Sequence, residues 1–143
     1  MADPLRVARA VQVCARGLSR IGRERARGAN ITPQQADALE LIEARGVVST
    51  SALAELLGID PSTASRNLAG LQRAGLIARK RDAEDGRQTD VRLTPKGKRV
   101  AEAVTADALK AYNALVERIA RADRPKVSEA IELLARAVAA SEG

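Results

Sequence analysis

Two stretches of this chain concentrate side chains capable of specific chemistry. In P-S-T-A-S-R, Pro61 to Arg66, three hydroxyls precede an arginine. In R-K-R-D-A-E-D-G-R-Q-T-D-V-R-L-T, Arg79 to Thr94, nine of sixteen residues are charged. Neither stretch pairs a nucleophile with a base. Histidine is absent from the whole chain, and no serine or cysteine has an evident activating partner. The commonest general base and the commonest metal ligand are therefore missing, so the residues point away from an enzyme and call for no cofactor. Hydroxyls and guanidinium groups are instead suited to holding phosphates and base edges. Arginine offers paired N–H donors to guanine or phosphate, and short hydroxyls let a helix come close to a groove.

The charge distribution supports a polyanionic partner. Formal net charge is +6, and between Pro61 and Val100 ten Lys or Arg face four acids while the rest of the chain carries fourteen of each. Basic groups that neutralise phosphates gain free energy by releasing condensed counterions. An acidic membrane surface is the competing polyanion. A membrane-surface helix needs large apolar residues opposite its basic face, however, and the longest basic run here has a strand and loop pattern. A basic surface that is merely solvated is the remaining alternative.

At 143 residues, 45% of them hydrophobic and 29% charged, the chain is expected to fold as a soluble globular protein. With no Phe or Trp and one Tyr, its interior is built from Ala, Leu, Val and Ile, which suits close-packed helices. No apolar run is long enough for a membrane span, and the first ten residues hold a proline and mixed charges in place of a signal-peptide core. A cytoplasmic, nucleoid-associated protein without a membrane partner is expected. The single Cys14 excludes an intramolecular disulfide.

The elements that must position the two stretches can be read from periodicity and caps. Val7, Val11, Cys14, Leu18 and Ile21 form one stripe of a helix from Leu5 to about Arg27. Thr32 and Pro33, with Gln35 three residues after the threonine, start a second helix that stops before Gly46. Ser49 or Thr50 caps a third, closed by Gly58, and Asp60-Pro61 opens a fourth that runs to about Ala74. Two short helices across a tight turn form a helix-turn-helix. On the fourth helix Ala64, Leu68 and Leu71 share the inward face, and Ser62, Ser65, Arg66, Ala69 and Arg73 the outward one. Leu76 to Arg81 and Thr89 to Leu93 alternate around a loop that contains Gly86, which predicts a two-stranded antiparallel ribbon. A helix-turn-helix followed by such a hairpin is a winged helix. Charge at its tip then has a use, because Arg87 can reach a minor groove beside the major groove that the fourth helix enters. Asp85 is expected to pair locally with a wing arginine and aim it.

The run from Ile31 to Lys98 resembles the winged-helix core of the MarR family of bacterial transcription regulators. The resemblance rests on D-P-S-T-A-S-R before the L-x-x-A-G-L-I-x-R junction, the wing D-A-E-D-G-R and the closing L-T-P-K-G. It implies a mostly α fold with a small β-hairpin wing, and a homodimer that binds a palindromic site on double-stranded DNA, more in the manner of a repressor than of an activator. Carried over by position, Ser62, Thr63, Ser65 and Arg66 fall where the recognition helix meets bases and phosphates. Asp85 and Arg87 match the family's D-x-R wing signature, and Arg79 falls where an arginine contacts the backbone or braces the wing. Arg73, on the outward face, joins them as a DNA-binding candidate. A non-sequence-specific architectural DNA binder is the alternative function, and a winged helix used as a protein interaction module is a third.

The flanking chain continues with a helix from Pro95 to about Ala120, striped by Val104, Ala108, Ala111, Leu115 and Ile119, and another from Pro125. The expected organisation is residues 1–30 as a dimerisation helix, 31–94 as the DNA-binding domain and 95–143 as helices completing the dimerisation region. The resemblance also implies a small-molecule effector, often aromatic, but Tyr112 is the one aromatic candidate for such a pocket and packing is the simpler role for it. Cys14 stands in the first helix, where some members sense oxidants. Its place on an apolar stripe favours a buried, inert thiol.

Overall fold

The computed structural model describes residues 3–84 and 86–141. Six α-helices and three strands follow one another as α1 (Pro4–Gly28), α2 (Pro33–Arg45), β1 (Val47–Ser49), α3 (Thr50–Leu57), α4 (Pro61–Arg73), β2 (Ile77–Arg81), β3 (Thr89–Leu93), α5 (Pro95–Glu117) and α6 (Arg124–Ser141), with a short 3-10 turn at Arg121–Asp123. The chain divides into two compact units, Met1–Ala108 and Leu109–Gly143, with the boundary inside α5.

The helix starts follow from local chemistry. Thr32 Oγ1 accepts from the Gln35 amide while Gln35 Oε1 accepts from the Thr32 amide, a complete capping box. Ser49 caps α3 through the Ala52 amide, and Asp60 caps α4 through the Thr63 amide. Gly58 ends α3 with φ +63°, a left-handed conformation that costs glycine nothing. In the first unit Leu39, Ile42, Leu53, Leu68, Leu71 and Val91 are fully buried. A second cluster of Ala26, Ala36 and Val104 joins α1, α2 and α5, bridged to the first by Ile31 and Val100. Arg25 also ties α1 to α2, with Nη1 2.9 Å from Glu40 and Nη2 3.7 Å from Asp37. Burial pushes both carboxyls above their ordinary range, and Arg25 pulls the other way.

Val47 and Val48, which read in sequence as a short extended piece, belong to a third strand that joins the ribbon. β1, too short to alternate, pairs antiparallel with β3 so that the sheet order is β1-β3-β2, with Val48 opposite Val91 and Ile77 opposite Leu93. It covers the edge of β3 that a two-stranded wing would leave open.

The closing L-T-P-K-G motif locks the end of α4 to the start of α5. Thr94 Oγ1 donates to the Gly75 carbonyl at 2.6 Å and accepts from the Gly97 amide at 3.0 Å, and Lys96 Nζ donates to the Ala74 carbonyl at 3.0 Å. Gly97 is buried against the Leu76 backbone, and a Cβ there would lie 1.8 Å from the Leu76 carbonyl oxygen.

One expectation is corrected. The α1 stripe is not buried within the chain: Val7, Val11 and Leu18 are 37–45% exposed, and Cys14 is exposed with them, so it is not a buried thiol of the protomer core. In the second unit Arg124 Nε donates to the Ile119 carbonyl, and α6 leaves Ile131, Leu133, Leu134 and Val138 exposed.

Candidate nucleic-acid interface

α4 displays the predicted face. Ala64, Leu68 and Leu71 are buried, while Ser62, Ser65, Arg66 and Arg73 are exposed. At its start Asp60 organises three side chains. The Ser62 hydroxyl donates to Asp60 Oδ1, the Thr63 hydroxyl donates to Asp60 Oδ2 at 2.7 Å, and Arg66 Nη2 donates to the Thr63 hydroxyl at 3.2 Å. Thr63 is thus half-buried and relays the orientation of Asp60 to Arg66. The Ser62 hydroxyl, then the Thr63 hydroxyl and amide, hold the Asp60 carboxyl well below its ordinary value of 3.8. A depressed carboxylate pKa stabilises the fold above the unfolded value and loses that contribution as pH falls through the folded one. Asp60→Asn keeps a capping side chain without the charge. The stability difference between the protein and this variant is therefore expected to be constant above about pH 5 and to shrink below about pH 4, measured by urea denaturation across that range.

An open groove of about 470 Å³ runs between α4 and the wing, lined by Thr50, Pro61, Ser65, Arg79, Arg87 and Thr89 among others. The register explains how Arg79 comes to be there. It lies opposite Val91 and two residues from Ile77, so its side chain leaves β2 on the core side of the sheet and emerges in the groove. Its Nε is buried without a hydrogen-bond partner among the described residues. Arg87, exposed beyond Gly86, supplies a second guanidinium, and no carboxylate of the described residues lines the groove. Asp82 closes the loop by donating its amide to the Gln88 carbonyl at 2.8 Å. Asp85 lies outside the described residues.

Ser65, Arg79 and Arg87 are therefore brought together around one groove, with Ser62 and Arg66 on the adjoining face of α4. Arg73 is not part of the groove and lies about 10 Å further along the same helix face. Sequence reasoning missed Thr50, Ser51 and Gln88, which also line the groove. Thr50 carried a signal only as an alternative α3 cap and Ser51 only as a residue of that helix, and the Thr50 hydroxyl in fact donates to the Thr89 carbonyl at 3.3 Å, fixing the wing base to α3.

Comparison with known proteins bears on this arrangement. A family model described as MarR family matches residues 29–88. No curated protein matched the chain. Among solved structures, RV1404 from Mycobacterium tuberculosis is 27% identical with a TM-score of 0.80, over 96% of this chain and 95% of that one. Wild-type MarR from E. coli in its apo form is 19% identical with a TM-score of 0.81, over 94% and 98%. MepR of S. aureus, in a structure described as a MepR–DNA complex, is 21% identical with a TM-score of 0.77, over 92% and 97%. The last two share the fold with this chain. From α2 to the wing loop, over residues 29–88, the chain is thus similar to the MarR family.

Proposed function

We propose that the protein is a sequence-specific DNA-binding transcription regulator, a repressor that binds a palindromic operator as a homodimer. The observation that carries this reading is the placement of Ser65, Arg79 and Arg87 around one groove beside the exposed Ser62–Arg66 face of α4. A helix with small hydroxyls at its start enters a major groove, Arg66 and Ser65 meet base edges or phosphates, and Arg87 follows the adjacent minor groove. Thr63 acts through Arg66, and Arg73 meets backbone further along. That MepR has been solved with DNA agrees with this use of the fold.

The homodimer is supported by apolar surface that a lone protomer leaves in water. Val7, Val11 and Leu18 on α1, and Ile131, Leu134 and Val138 on α6, are each more than a third exposed. A second copy is the partner that covers such stripes symmetrically. Two recognition helices would then meet successive major grooves about 34 Å apart. Repression follows by occlusion of promoter DNA, in a protein that needs no catalysis and no cofactor. No helix of the described residues is long and apolar enough to cross a membrane, which agrees with a cytoplasmic, nucleoid-associated location. A small-molecule effector that changes the helix separation would release one fixed spacing; Tyr112 is 40% exposed in the protomer and identifies no pocket.

Selection of genomic fragments by the purified protein against excess bulk DNA tests this. Enrichment of a palindrome with half-sites one turn apart is expected, with a preference of about a thousandfold or more over bulk DNA. Binding without enrichment would favour an architectural role, and absence of salt-sensitive binding would remove DNA as the partner. Arg87→Ala is expected to weaken binding on all sequences and to lower the salt slope by about 0.9 for each phosphate released, measured by titration at several salt concentrations. An unchanged slope would take the wing tip out of the interface.

A further inference from the structure

The balanced charge outside residues 61–100 conceals a second basic block. α1 carries seven arginines against the single Glu24, offset in the sum by acids elsewhere. One of the seven, Arg25, is turned inward to Asp37 and Glu40. Because α1 is one continuous helix, the phases of the others can be compared. At 100° per residue, Arg9, Arg16, Arg20, Arg23 and Arg27 fall within about 60° of one another, directly opposite the stripe of Val7, Val11, Cys14 and Leu18. All five are exposed, and none is ion-paired with a described residue. The face spans about 27 Å, the axial length of about eight base pairs. Leu5 lies on the same arc at its N-terminal end, and from Arg16 to Arg27 the arc is arginine alone.

Its C-terminal end is joined to the recognition helix. Arg23 and Arg27 line an open groove of about 490 Å³ with Asn30, Thr32 and Gln35. The next contacts lead to α4: Asn67 Nδ2 donates to Gln34 Oε1 at 3.1 Å, and Gln35 Nε2 donates to the Asn67 carbonyl at 3.5 Å. Asn67 and Ser65 lie on opposite flanks of the exposed α4 face. The face is therefore bordered by the wing arginines on one side and by the α1 arginines on the other.

We propose that the arginine face of α1 is a further phosphate-binding surface for DNA: Arg23 and Arg27 hold the backbone on the side of α4 away from the wing, and Arg16 and Arg20 carry the contact onto flanking duplex. This rests on the DNA-binding reading above. Guanidinium groups suit this task because they bind phosphate bidentately. Continuity with α4 favours DNA over an acidic lipid surface, which would have no use for the link through Gln34 and Asn67.

The test is DNA binding by the full-length protein and by Arg16→Gln/Arg20→Gln/Arg23→Gln/Arg27→Gln, on a duplex of about 40 bp centred on the selected site and on its core of about 20 bp. The native protein is expected to bind the longer duplex more tightly. The neutral variant should lose this length advantage, weaken about tenfold or more on the long duplex at about 0.1 M salt, and show a salt slope shallower by two or more, while its discrimination between sites is kept. The corresponding four-lysine variant should recover most of the slope. Unchanged affinity and slope in the neutral variant would overturn the proposal while leaving the DNA-binding reading intact. Equal loss in the lysine variant would overturn it too, because the effect would then not be charge. So would arginine-dependent binding to phosphatidylserine vesicles with DNA binding unaltered. If the native protein binds neither duplex, the failure is that of the DNA-binding reading itself, and this surface falls with it.

Discussion

Gly97→Ala is expected to destabilise the protein by about 3 kcal/mol or more, and to abolish DNA binding through loss of the winged helix. An added Cβ would meet the Leu76 carbonyl oxygen at 1.8 Å and its carbonyl carbon at 2.7 Å, both backbone atoms that no rotamer change can move away. The backbone there is also committed. The Leu76 carbonyl accepts from the Thr94 amide, and the Thr94 hydroxyl bridges the Gly75 carbonyl and the Gly97 amide. Relief of the clash must pull α5 away from the end of α4 and break these bonds, next to Leu76, Ile77 and Ala101 in the core. Gly17→Ala is the control, since a Cβ there has nothing within 4 Å. It is expected to leave stability unchanged or to raise it by up to about 1 kcal/mol through helix propensity. Urea denaturation midpoints of the two variants check both statements, and near-native stability of Gly97→Ala would show that the α4–α5 junction is not so closely packed.

Arg66→Ala is expected to cost about 1–3 kcal/mol of discrimination, a factor of about 5 to 150, at one position of each half-site. The guanidinium is exposed on α4 and directed by the Thr63 hydroxyl, which Asp60 in turn holds. A pre-set donor loses less freedom on binding than a mobile one, so its removal is felt at the base it addresses. Thr63→Val leaves the Asp60–Thr63 amide cap in place but deletes the relay. A smaller loss at the same base position is expected from it. Binding to a panel of single-base operator variants measures both effects. Equal weakening on every sequence would assign Arg66 to phosphate instead.

Much of this protein was legible before folding was considered. Thr32, Ser49, Asp60 and Gly58 placed four helix boundaries within a residue or two, because caps and left-handed turns are decided by neighbours in sequence. The inward and outward faces of α4 followed from the helical repeat alone. The resemblance to the MarR family was legible in D-P-S-T-A-S-R, which lies within the family match over residues 29–88. Only the tertiary structure decided what those elements do to one another. The pairing of β1 with β3 is a contact across some forty residues that a three-residue strand cannot announce. Arg79 reads in sequence as one more charge in a basic run, yet its register opposite Val91 sends it through the core side of the sheet into the groove. The need for glycine at position 97 is set by the Leu76 carbonyl, twenty-one residues earlier. Sequence alone fixed the caps, the faces and the sign of the charge, because each depends on near neighbours; which side chains share a groove, and which must stay small, was settled by packing between distant segments.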